Sequence, residues 1–417
     1  MADDSAAPPI NVSDVVQVKG REFRIEGYVA PGYEPVADQF RENFARGREI
    51  GAATAAYLGD RPVVDLWGGY RSVDHIQPWE RDTTVLLLST TKGLSAMTAA
   101  VAHSRGWLDF DAPVASYWPE FAQNGKADIT VRQLLAHQAG VCVFDTPLTL
   151  DLITSRDQLD DVLARQAPAW TPGERHGYHV VVLGWYQDAL LRRVDPGGRS
   201  LGTLLQDEIA SPLGLDMFIG LLESADERRR AEVHVTRAWG SMREWPLALT
   251  AAMFNPRSLP MRMAAASPTR NQEDLNTRPY LQPEIPSANG VASARAVARA
   301  YAEFASGAPA LRIDPQTIRE LEAPASAPSS STIDAFYCFE TAYALGFSKR
   351  APRLPLGSST AAYGAPGAGG SQGFADPELG LGFAYTPNKL DIGVYDDPRA
   401  AAIRARLYEC LGSQAVR

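Results

Sequence analysis

The chain has 417 residues, of which 45% are hydrophobic, so it can bury a large core in one large domain or two interleaved ones. Forty basic and forty-nine acidic residues leave a net charge of −9, which argues against nucleic acid or an anionic membrane as the main partner. The N-terminus is polar and acidic, no stretch reaches the ~18 apolar residues of a membrane span, and three cysteines suit reduced thiols. We therefore expect a cytoplasmic protein.

The first predicted elements are a helix and a hairpin. Residues 36–48 are amphipathic and predict the helix. The segment GAATAAYLGDRPVVDLWGGYRS predicts two strands that are joined at Gly59-Asp60, a hairpin turn signal. Between residues 89 and 220 the patterns are helical, as in VRQLLAHQAG, DQLDDVLARQ and HVVVLGWYQDALLRRV, and they predict an all-helical insertion.

The second half of the chain returns to sheet patterns. Residues 241–289 are rich in Pro, Met and Arg with little periodicity, which predicts a long irregular segment that covers the substrate pocket. SARAVARAYAEFA predicts a helix, and YALGFS, GFADPELGLGFAYTP and LDIGVY predict strands with tight turns. We expect an α+β fold in which residues 1–88 and 290–417 form an α/β sheet domain and residues 89–289 a mainly helical insertion.

The segment Ser89-Thr90-Thr91-Lys92 opens a helix of small residues and places an amine one turn from a hydroxyl. A serine hydroxyl is a weak nucleophile until a base takes its proton, and a partly buried lysine can do so near neutral pH. The free N–H groups at a helix start favour the oxyanion that forms when a serine attacks a carbonyl. Ser89 is therefore a candidate nucleophile, although a bare Ser-x-x-Lys also occurs as a helix cap with a solvated lysine.

The surroundings of this motif carry a family resemblance. The LLL run before it and RGWLDFDAPVASYWPEF and ITVRQLLAHQAG after it resemble the serine β-lactamase and penicillin-binding-protein superfamily. The closest branch is the class C-like one, with family VIII carboxylesterases and β-lactamase-domain serine hydrolases, and the likeness covers about residues 46–388. It implies a β-lactamase-like antiparallel sheet flanked by helices, with a large helical domain inserted.

A Ser–Lys pair needs a further proton carrier, and a tyrosine can serve if cations lower its pKa. WTPGERHGYHVVVLGW places Tyr178 after a glycine at a predicted helix start and is similar to the tyrosine element of class C enzymes. The resemblance implies that Tyr178 is the general base, coupled to Lys92; the alternative is a tyrosine packed in the core. Val180 stands where β-lactamases carry a substrate-binding asparagine, which puts recognition of acylamino β-lactams in doubt.

YGAPGAGGSQGFADPE is similar to the late strand that carries Lys-Thr-Gly or His-x-Gly in this superfamily. By that alignment Gly367 is the motif glycine, and the N–H of Ala368 joins that of Ser89 in the oxyanion hole. Ala365 takes the cationic, substrate-binding position, so either the substrate lacks a carboxylate there or another group supplies the charge. We expect His137 to be a hydrogen-bonded structural group.

These residues lead to one main hypothesis, a serine hydrolase that cleaves carboxylic esters of small molecules through an acyl-enzyme on Ser89. No cofactor is required, and the histidines lack metal-ligand spacing. The alternative is an acyltransferase of the same fold that uses a small-molecule, secondary-metabolite acceptor. Two less favoured alternatives are a β-lactamase or D,D-peptidase and a non-catalytic binding protein. The expected partner is a small-molecule ester or acyl donor, with no nucleic acid and no membrane; a homo-oligomer stays open.

Overall fold

A computed structural model of the chain describes residues 8–221, 227–236, 245–268, 271–391 and 395–414. The strands are β1 (Ile10–Val18), β2 (Arg21–Val29), β3 (Gly51–Leu58), β4 (Arg61–Gly69), β5 (Val85–Leu86), β6 (Met217–Ile219), β7 (His234–Val235), β8 (Gly290–Ala292), β9 (Tyr343–Ala344), β10 (Phe347–Lys349), β11 (Tyr363–Pro366), β12 (Gln372–Asp376), β13 (Leu381–Pro387) and β14 (Lys389–Leu390). The helices are α1 (Glu34–Ala45), α2 (Thr91–Ser104), α3 (Val131–Leu135), α4 (Leu150–Thr154), α5 (Arg156–Arg165), α6 (Leu183–Val194), α7 (Leu201–Leu205), α8 (Ser211–Leu213), α9 (Leu247–Met253), α10 (Leu259–Ala264), α11 (Arg278–Leu281), α12 (Ala294–Ala305), α13 (Pro315–Glu322) and α14 (Pro398–Gln414). Within these ranges no helix has the length and hydropathy needed to cross a membrane.

Nine strands form one antiparallel sheet in the order β1-β2-β4-β3-β13-β12-β11-β10-β9. Near its centre, β3 alternates between two cores. Ala53 and Ala55 belong to the core that contains α2 and α12, whereas Ala52 and Ala56 belong to the core that contains α1 and α14. Helices therefore cover both faces of the sheet, and the predicted α+β fold is confirmed.

The N-terminal and C-terminal parts of the chain meet where β3 pairs with β13. Helix α12 lies directly on β13 at this point. A Cβ at Gly382 would lie 2.2 Å from the carbonyl oxygen of Ala298 and from the nitrogen of Ala302. Glycine at this position allows the helix to approach the sheet closely, which brings the two halves of the chain into one core.

The predicted all-helical insertion at 89–220 is wrong at its end. The short strand β6 lies there and pairs with β8, so that β5, β8 and β6 form a three-stranded sheet in that order. A strand of three residues is too short to show the alternation that identifies strands in a sequence.

The segment predicted as irregular, 241–289, contains three short helices within its described parts, 245–268 and 271–289. These are α9, α10 and α11, of seven, six and four residues. Each follows or contains a proline in its first turn, and helices this short do not show a helical period. The expectation of irregular structure is therefore wrong for these three helices, and residues 241–244 and 269–270 lie outside the described ranges.

Sequence reasoning also missed the hairpin of β1 and β2, which pair across a turn at Lys19-Gly20 with positive φ at both residues. Most residues of β1 are exposed, so its alternation carries little hydrophobic signal. In the tail, YALGFS forms β9 and β10, and GFADPELGLGFAYTP forms β12 and β13. Residues 392–394 of the predicted strand LDIGVY lie outside the described ranges.

Candidate active site

Ser89 lies in a 3₁₀ turn that runs directly into α2. The residue before it, Leu88, has a φ of +47°, in the left-handed region where a leucine is strained. Ser371 holds this turn from the sheet side, because its hydroxyl donates to the carbonyl oxygen of Leu87 at 2.6 Å and lies 3.0 Å from Oγ1 of Thr90. The candidate nucleophile is thus on a strained and firmly held turn, partly open to solvent.

Lys92 lies one turn further along, and its Nζ is 3.3 Å from Oγ of Ser89. The amine also donates to the backbone carbonyl oxygens of Val180, at 2.6 Å, and Ser287, at 3.2 Å. The side chain is 2% exposed, and burial holds the pKa of the amine well below its ordinary value. A neutral amine in contact with a serine hydroxyl can accept the hydroxyl proton.

The backbone at Tyr178 differs from the prediction of a helix start. Helix α6 begins only at Leu183, and the N–H groups before it are bound by distant partners. Tyr178 N donates to Oδ2 of Asp334 at 3.1 Å, and His179 N donates to Nδ1 of His137 at 3.0 Å. These tertiary acceptors satisfy the backbone of a segment that stays outside the helix.

The Tyr178 side chain is buried and lines the same pocket as Ser89. The Nζ of Lys92 lies 4.6 Å from the centroid of the tyrosine ring. Burial raises the pKa of the phenol above its usual value, while the nearby hydroxyls of Ser89 and Tyr337 lower it. The sequence argument expects cations to lower this pKa, but only the two hydroxyls lower it and burial outweighs their effect, so Tyr178 is a phenol that can donate a proton at neutral pH.

Asp334 is a site residue that sequence reasoning missed. Its carboxylate is fully buried, and Oδ2 accepts from Tyr178 N and from the hydroxyl of Tyr343, each at 3.1 Å. Oδ1 accepts from the backbone nitrogens of Phe336, at 2.7 Å, and Tyr337, at 3.0 Å. One carboxylate therefore fixes the backbones of two tyrosines that line the pocket. The sequence signal was a single Asp in STIDAFYCFE, with no spacing that relates it to Tyr178.

Three buried histidines, His137, His176 and His179, lie near Tyr178 and are not part of the pocket lining. Burial lowers the pKa of each of them, that of His179 to about 4, so they are neutral at pH 7. His137 accepts backbone N–H groups through its carbonyl and its ring, which is the structural role predicted for it. In the part of the chain that the structure describes, no group of three or more potential ligands could hold a metal ion.

Gly367 and Ala368 follow the body of β11 and line the same pocket as Ser89. A Cβ on Gly367 would lie 2.1 Å from Oγ of Ser371 and 2.6 Å from the carbonyl oxygen of Leu87. Glycine therefore lets the strand end approach the nucleophile turn. The assignment of the Ser89 and Ala368 N–H groups to an oxyanion hole stays a prediction. Both residues line the same pocket, as that assignment requires.

Of the three predicted substrate contacts, Gly367 and Val180 lie in the pocket lining and Ala365 does not. Val180 lines the pocket, and its carbonyl oxygen binds the Lys92 amine. Ala365 is 3% exposed and is not part of the lining; it faces Gly93 of α2, where an added Cβ would lie 3.4 Å from its own. Successive strand residues point to opposite faces, so Pro366 reaches the pocket and Ala365 does not. This corrects the prediction of a substrate contact at Ala365.

The pocket in front of Ser89 has a volume of about 360 Å³. Its wall is mostly apolar, with contributions from Val180, Val235, Trp245, Leu249, Met253 and Leu275. Among the lining residues that the structure describes, none is Lys, Arg or His, and the charged one is Asp391. The site therefore suits an uncharged, apolar substrate.

Comparison with known proteins agrees with this geometry. The sequence model of the family Beta-lactamase matches residues 36–408. The chain is 33% identical over 415 residues to the esterase/beta-lactamase LipL of Mycobacterium tuberculosis, which covers 92% of this chain and 90% of LipL. Two solved structures are each 34% identical and each cover 93% of this chain and 99% of their own: a family VIII carboxylesterase (TM-score 0.79) and a penicillin-binding protein homologue from Caulobacter crescentus (TM-score 0.80).

The matches cover nearly the whole chain, including Ser89, Lys92 and Tyr178. They confirm the resemblance that the sequence motifs indicate. The chain belongs to the beta-lactamase family.

Proposed function

We propose that this protein is a serine hydrolase that cleaves carboxylic esters of small, uncharged molecules through an acyl-enzyme on Ser89. The observation that carries the proposal is the 3.3 Å contact between the buried Lys92 amine and Oγ of Ser89, beside an apolar pocket. The names of the relatives support ester cleavage, since LipL is called an esterase and the matching solved structure a carboxylesterase.

Acylation begins when Oγ of Ser89 attacks the ester carbonyl carbon and the amine of Lys92 accepts the hydroxyl proton. The N–H groups of Ser89 and Ala368 donate to the oxyanion of the tetrahedral intermediate. When the intermediate collapses, the bond between the carbonyl carbon and the alcohol oxygen breaks, and the phenol of Tyr178 gives its proton to the departing oxygen. The acyl-enzyme then contains a protonated Lys92 and a phenolate at Tyr178.

Deacylation reverses these proton transfers. Water attacks the acyl carbonyl carbon and gives a proton to the Tyr178 phenolate, which acts here as the general base that the family resemblance implies. The protonated Lys92 returns its proton to Oγ of Ser89 as the ester bond to the enzyme breaks. The sum is one ester and one water converted to one acid and one alcohol, with every side chain restored.

Hydrolysis of p-nitrophenyl butyrate, together with intact mass spectrometry during turnover, tests this proposal. We expect an acyl adduct on the wild-type enzyme and neither adduct nor turnover with Ser89→Ala. Ser104→Ala is the matched control, because Ser104 ends the same helix and its hydroxyl accepts from the distant Asp314 N–H, at 2.7 Å. Release of p-nitrophenol that does not need Ser89, or no adduct with any activated ester, would instead favour a non-catalytic binding protein.

The same assay separates the remaining alternatives. Added alcohols or amines that appear in the product in place of water would identify an acyltransferase. A chromogenic cephalosporin should be a poor substrate, because Val180 replaces the amide-binding asparagine and the described pocket lining holds no cation for a carboxylate. We also propose a reducing compartment, the cytoplasm; the chain has three cysteines, Cys142, Cys338 and Cys410, and their small, odd number and wide separation support this.

A further inference from the structure

Tyr337 adds a second tyrosine to the pocket and belongs to none of the sequence motifs. It is 7% exposed and lines the pocket together with Ser89 and Tyr178. The centroids of the two tyrosine rings are 5.2 Å apart, with an angle of 34° between the ring planes. Asp334 accepts one backbone N–H from each tyrosine, so a single buried carboxylate anchors the backbones of both residues.

The proposed mechanism leaves a negative charge on Oη of Tyr178 when the alcohol departs. At that stage Ser89 is esterified and has no hydroxyl proton to donate. The strand position that carries a cation in related enzymes is Ala365, which is buried against α2 and has no polar side-chain atom. The Lys92 amine lies over the face of the Tyr178 ring and donates to backbone carbonyls. These three groups leave the phenolate without a hydrogen bond, and the hydroxyl of Tyr337 belongs to the same pocket lining.

The electrostatics of the two tyrosines fit Tyr337 as that donor. The Tyr337 hydroxyl lowers the pKa of Tyr178, and Tyr178 in turn raises the pKa of Tyr337, in addition to the larger effect of burial on each. Those are the opposite signs expected when Tyr337 donates and Tyr178 accepts. A hydrogen bond to an ionised oxygen is stronger than one to a neutral oxygen, so the contact gains strength as Tyr178 loses its proton.

We propose that Tyr337 is a catalytic residue that donates a hydrogen bond to Oη of Tyr178 as Tyr178 protonates the leaving alcohol, and that this donor lets the enzyme cleave esters of unactivated, aliphatic alcohols. The proposal rests on the proposed esterase function and names its substrate class. The proton of Tyr337 stays on Tyr337; the bond to the alcohol breaks, and the proton that the alcohol gains comes from Tyr178. Asp334 is a positioning residue for both tyrosines.

Esters with different leaving groups distinguish a hydrogen-bonding role of Tyr337 from a role in packing the pocket wall. A p-nitrophenolate departs as a stable anion and needs little help from an acid, whereas an ethoxide must be protonated as it leaves. Loss of a donor that assists Tyr178 should therefore slow ethyl esters much more than p-nitrophenyl esters of the same acid. The two esters have identical acyl groups, so a change in the part of the pocket that holds the acyl group would affect both alike.

The experiment compares kcat/KM for ethyl butyrate and p-nitrophenyl butyrate in wild type and Tyr337→Phe. We expect a loss of roughly ten- to a hundredfold with the ethyl ester, the size of one hydrogen bond to a charged group, and a loss of about threefold or less with the aryl ester. Tyr178→Phe should show the same preference with a larger loss. Tyr363→Phe is the matched control, because the buried Tyr363 hydroxyl has no hydrogen-bond partner and lies outside the pocket lining.

Two outcomes would overturn the proposal: equal losses with both esters, or no loss with the ethyl ester. The ring of Tyr337 is kept in Tyr337→Phe, so we expect it to fold, and thermal unfolding checks this. If it does not fold, the ratio of the two activities in Asp334→Asn provides the same readout, because the carboxylate holds both tyrosines. Hydrolysis by Ser89→Ala would overturn the proposed function itself, which keeps the two failures distinguishable.

Discussion

At the scale of single residues, Lys92 and Lys126 are both buried lysines whose amines donate to backbone carbonyl oxygens. Burial lowers the pKa of both amines, that of Lys126 to about 8. The difference is that Lys92 also contacts a hydroxyl, Oγ of Ser89, whereas the three recorded contacts of Lys126 are carbonyl oxygens. Burial therefore lowers the pKa of both amines, and only Lys92 has a neighbouring hydroxyl from which it can accept a proton.

This pair of lysines provides a matched test. We expect Lys92→Met to lower kcat/KM for p-nitrophenyl butyrate by about a thousandfold or more, because members of a coupled catalytic unit fail individually. Lys126→Met should lose stability and keep the wild-type kcat where it is folded. Steady-state kinetics of both variants measure the loss of activity, and thermal unfolding measures the loss of stability. Near wild-type turnover by folded Lys92→Met would contradict the mechanism.

The pH dependence follows from the directions of two pKa values. Activity needs a neutral Lys92 amine, so kcat/KM should fall as pH falls through the depressed pKa of Lys92. The raised pKa of Tyr178 keeps its phenol protonated into the alkaline range, and the lowered pKa values of His137 and His179 keep both rings neutral. We expect a single acid limb in a profile measured with p-nitrophenyl butyrate, and a rate that does not fall on the acid side would argue against a lysine base.

Asp334 allows a test of positioning as distinct from chemistry. An asparagine has one acceptor oxygen, so Asp334→Asn cannot accept from backbone N–H groups on both sides and should release one of the two tyrosines. We expect kcat to fall roughly ten- to a hundredfold with a small change in KM. The control is Asp376→Asn, a buried carboxylate that binds Ser358 and Tyr408 elsewhere and should affect only stability. An equal loss of kcat in the two variants would show that Asp334 has no special role.

At the scale of elements, the site depends on how closely the end of β11 approaches the nucleophile turn. Ser371 hydrogen-bonds to that turn, and its carbonyl oxygen accepts from Gly367 N at 2.7 Å. The predicted oxyanion donor, Ala368, lies between these two residues in the sequence. Its position is thus tied to the turn that holds Ser89, although the two segments are far apart along the chain.

A side chain at Gly367 should separate these elements. Its Cβ would lie 2.6 Å from the carbonyl oxygen of Leu87, so Gly367→Ala must move the strand end and the N–H of Ala368 with it. Loss of one oxyanion donor lowers kcat by roughly a hundred- to a thousandfold. We expect a loss of this order with little change in KM. Gly412→Ala on α14 has no atom within 4 Å of the new Cβ and should retain the wild-type rate. Unchanged kcat in Gly367→Ala would remove Ala368 from the oxyanion hole.

At the scale of the whole molecule, the net charge and the composition of the pocket both disfavour anionic substrates. The chain has a net charge of −9, and Asp391 is the charged residue among the described lining of the pocket. A negative field lowers the local concentration of anionic substrates. The molecule should therefore select for uncharged esters before any specific contact is made.

Two esters of equal length test this selection. We expect kcat/KM for the p-nitrophenyl monoester of adipic acid to be about tenfold or more below that for p-nitrophenyl hexanoate. Added salt should narrow the gap, because it screens the repulsion. Rates are measured at several ionic strengths with both esters. A preference for the anionic ester would mean that a cation in the site compensates for Ala365.

Long elements with strong patterns could be predicted from the sequence. The hairpin at Gly59-Asp60 and the helix α12 lie where turn signals and apolar spacing place them, because these signals act between residues a few positions apart. The short helices α9 to α11 and the edge strand β1 could not be predicted. Their lengths or their exposure leave too few apolar positions for a period, and contacts from the rest of the molecule determine their conformation.

The sequence by itself determined the family and the α+β fold. It also determined the Ser89–Lys92 pair, because a three-residue spacing in a helical segment makes the two side chains neighbours. Only the tertiary structure decided that Tyr178 lies ahead of helix α6 and not at its start, that Ala365 turns away from the pocket and that Tyr337 lies beside Tyr178. These features depend on partners such as Asp334, which is 156 residues from Tyr178. Burial and hydrogen bonds between distant residues also decide that the pKa of Lys92 is lowered and that of Tyr178 is raised. No local sequence pattern encodes these shifts.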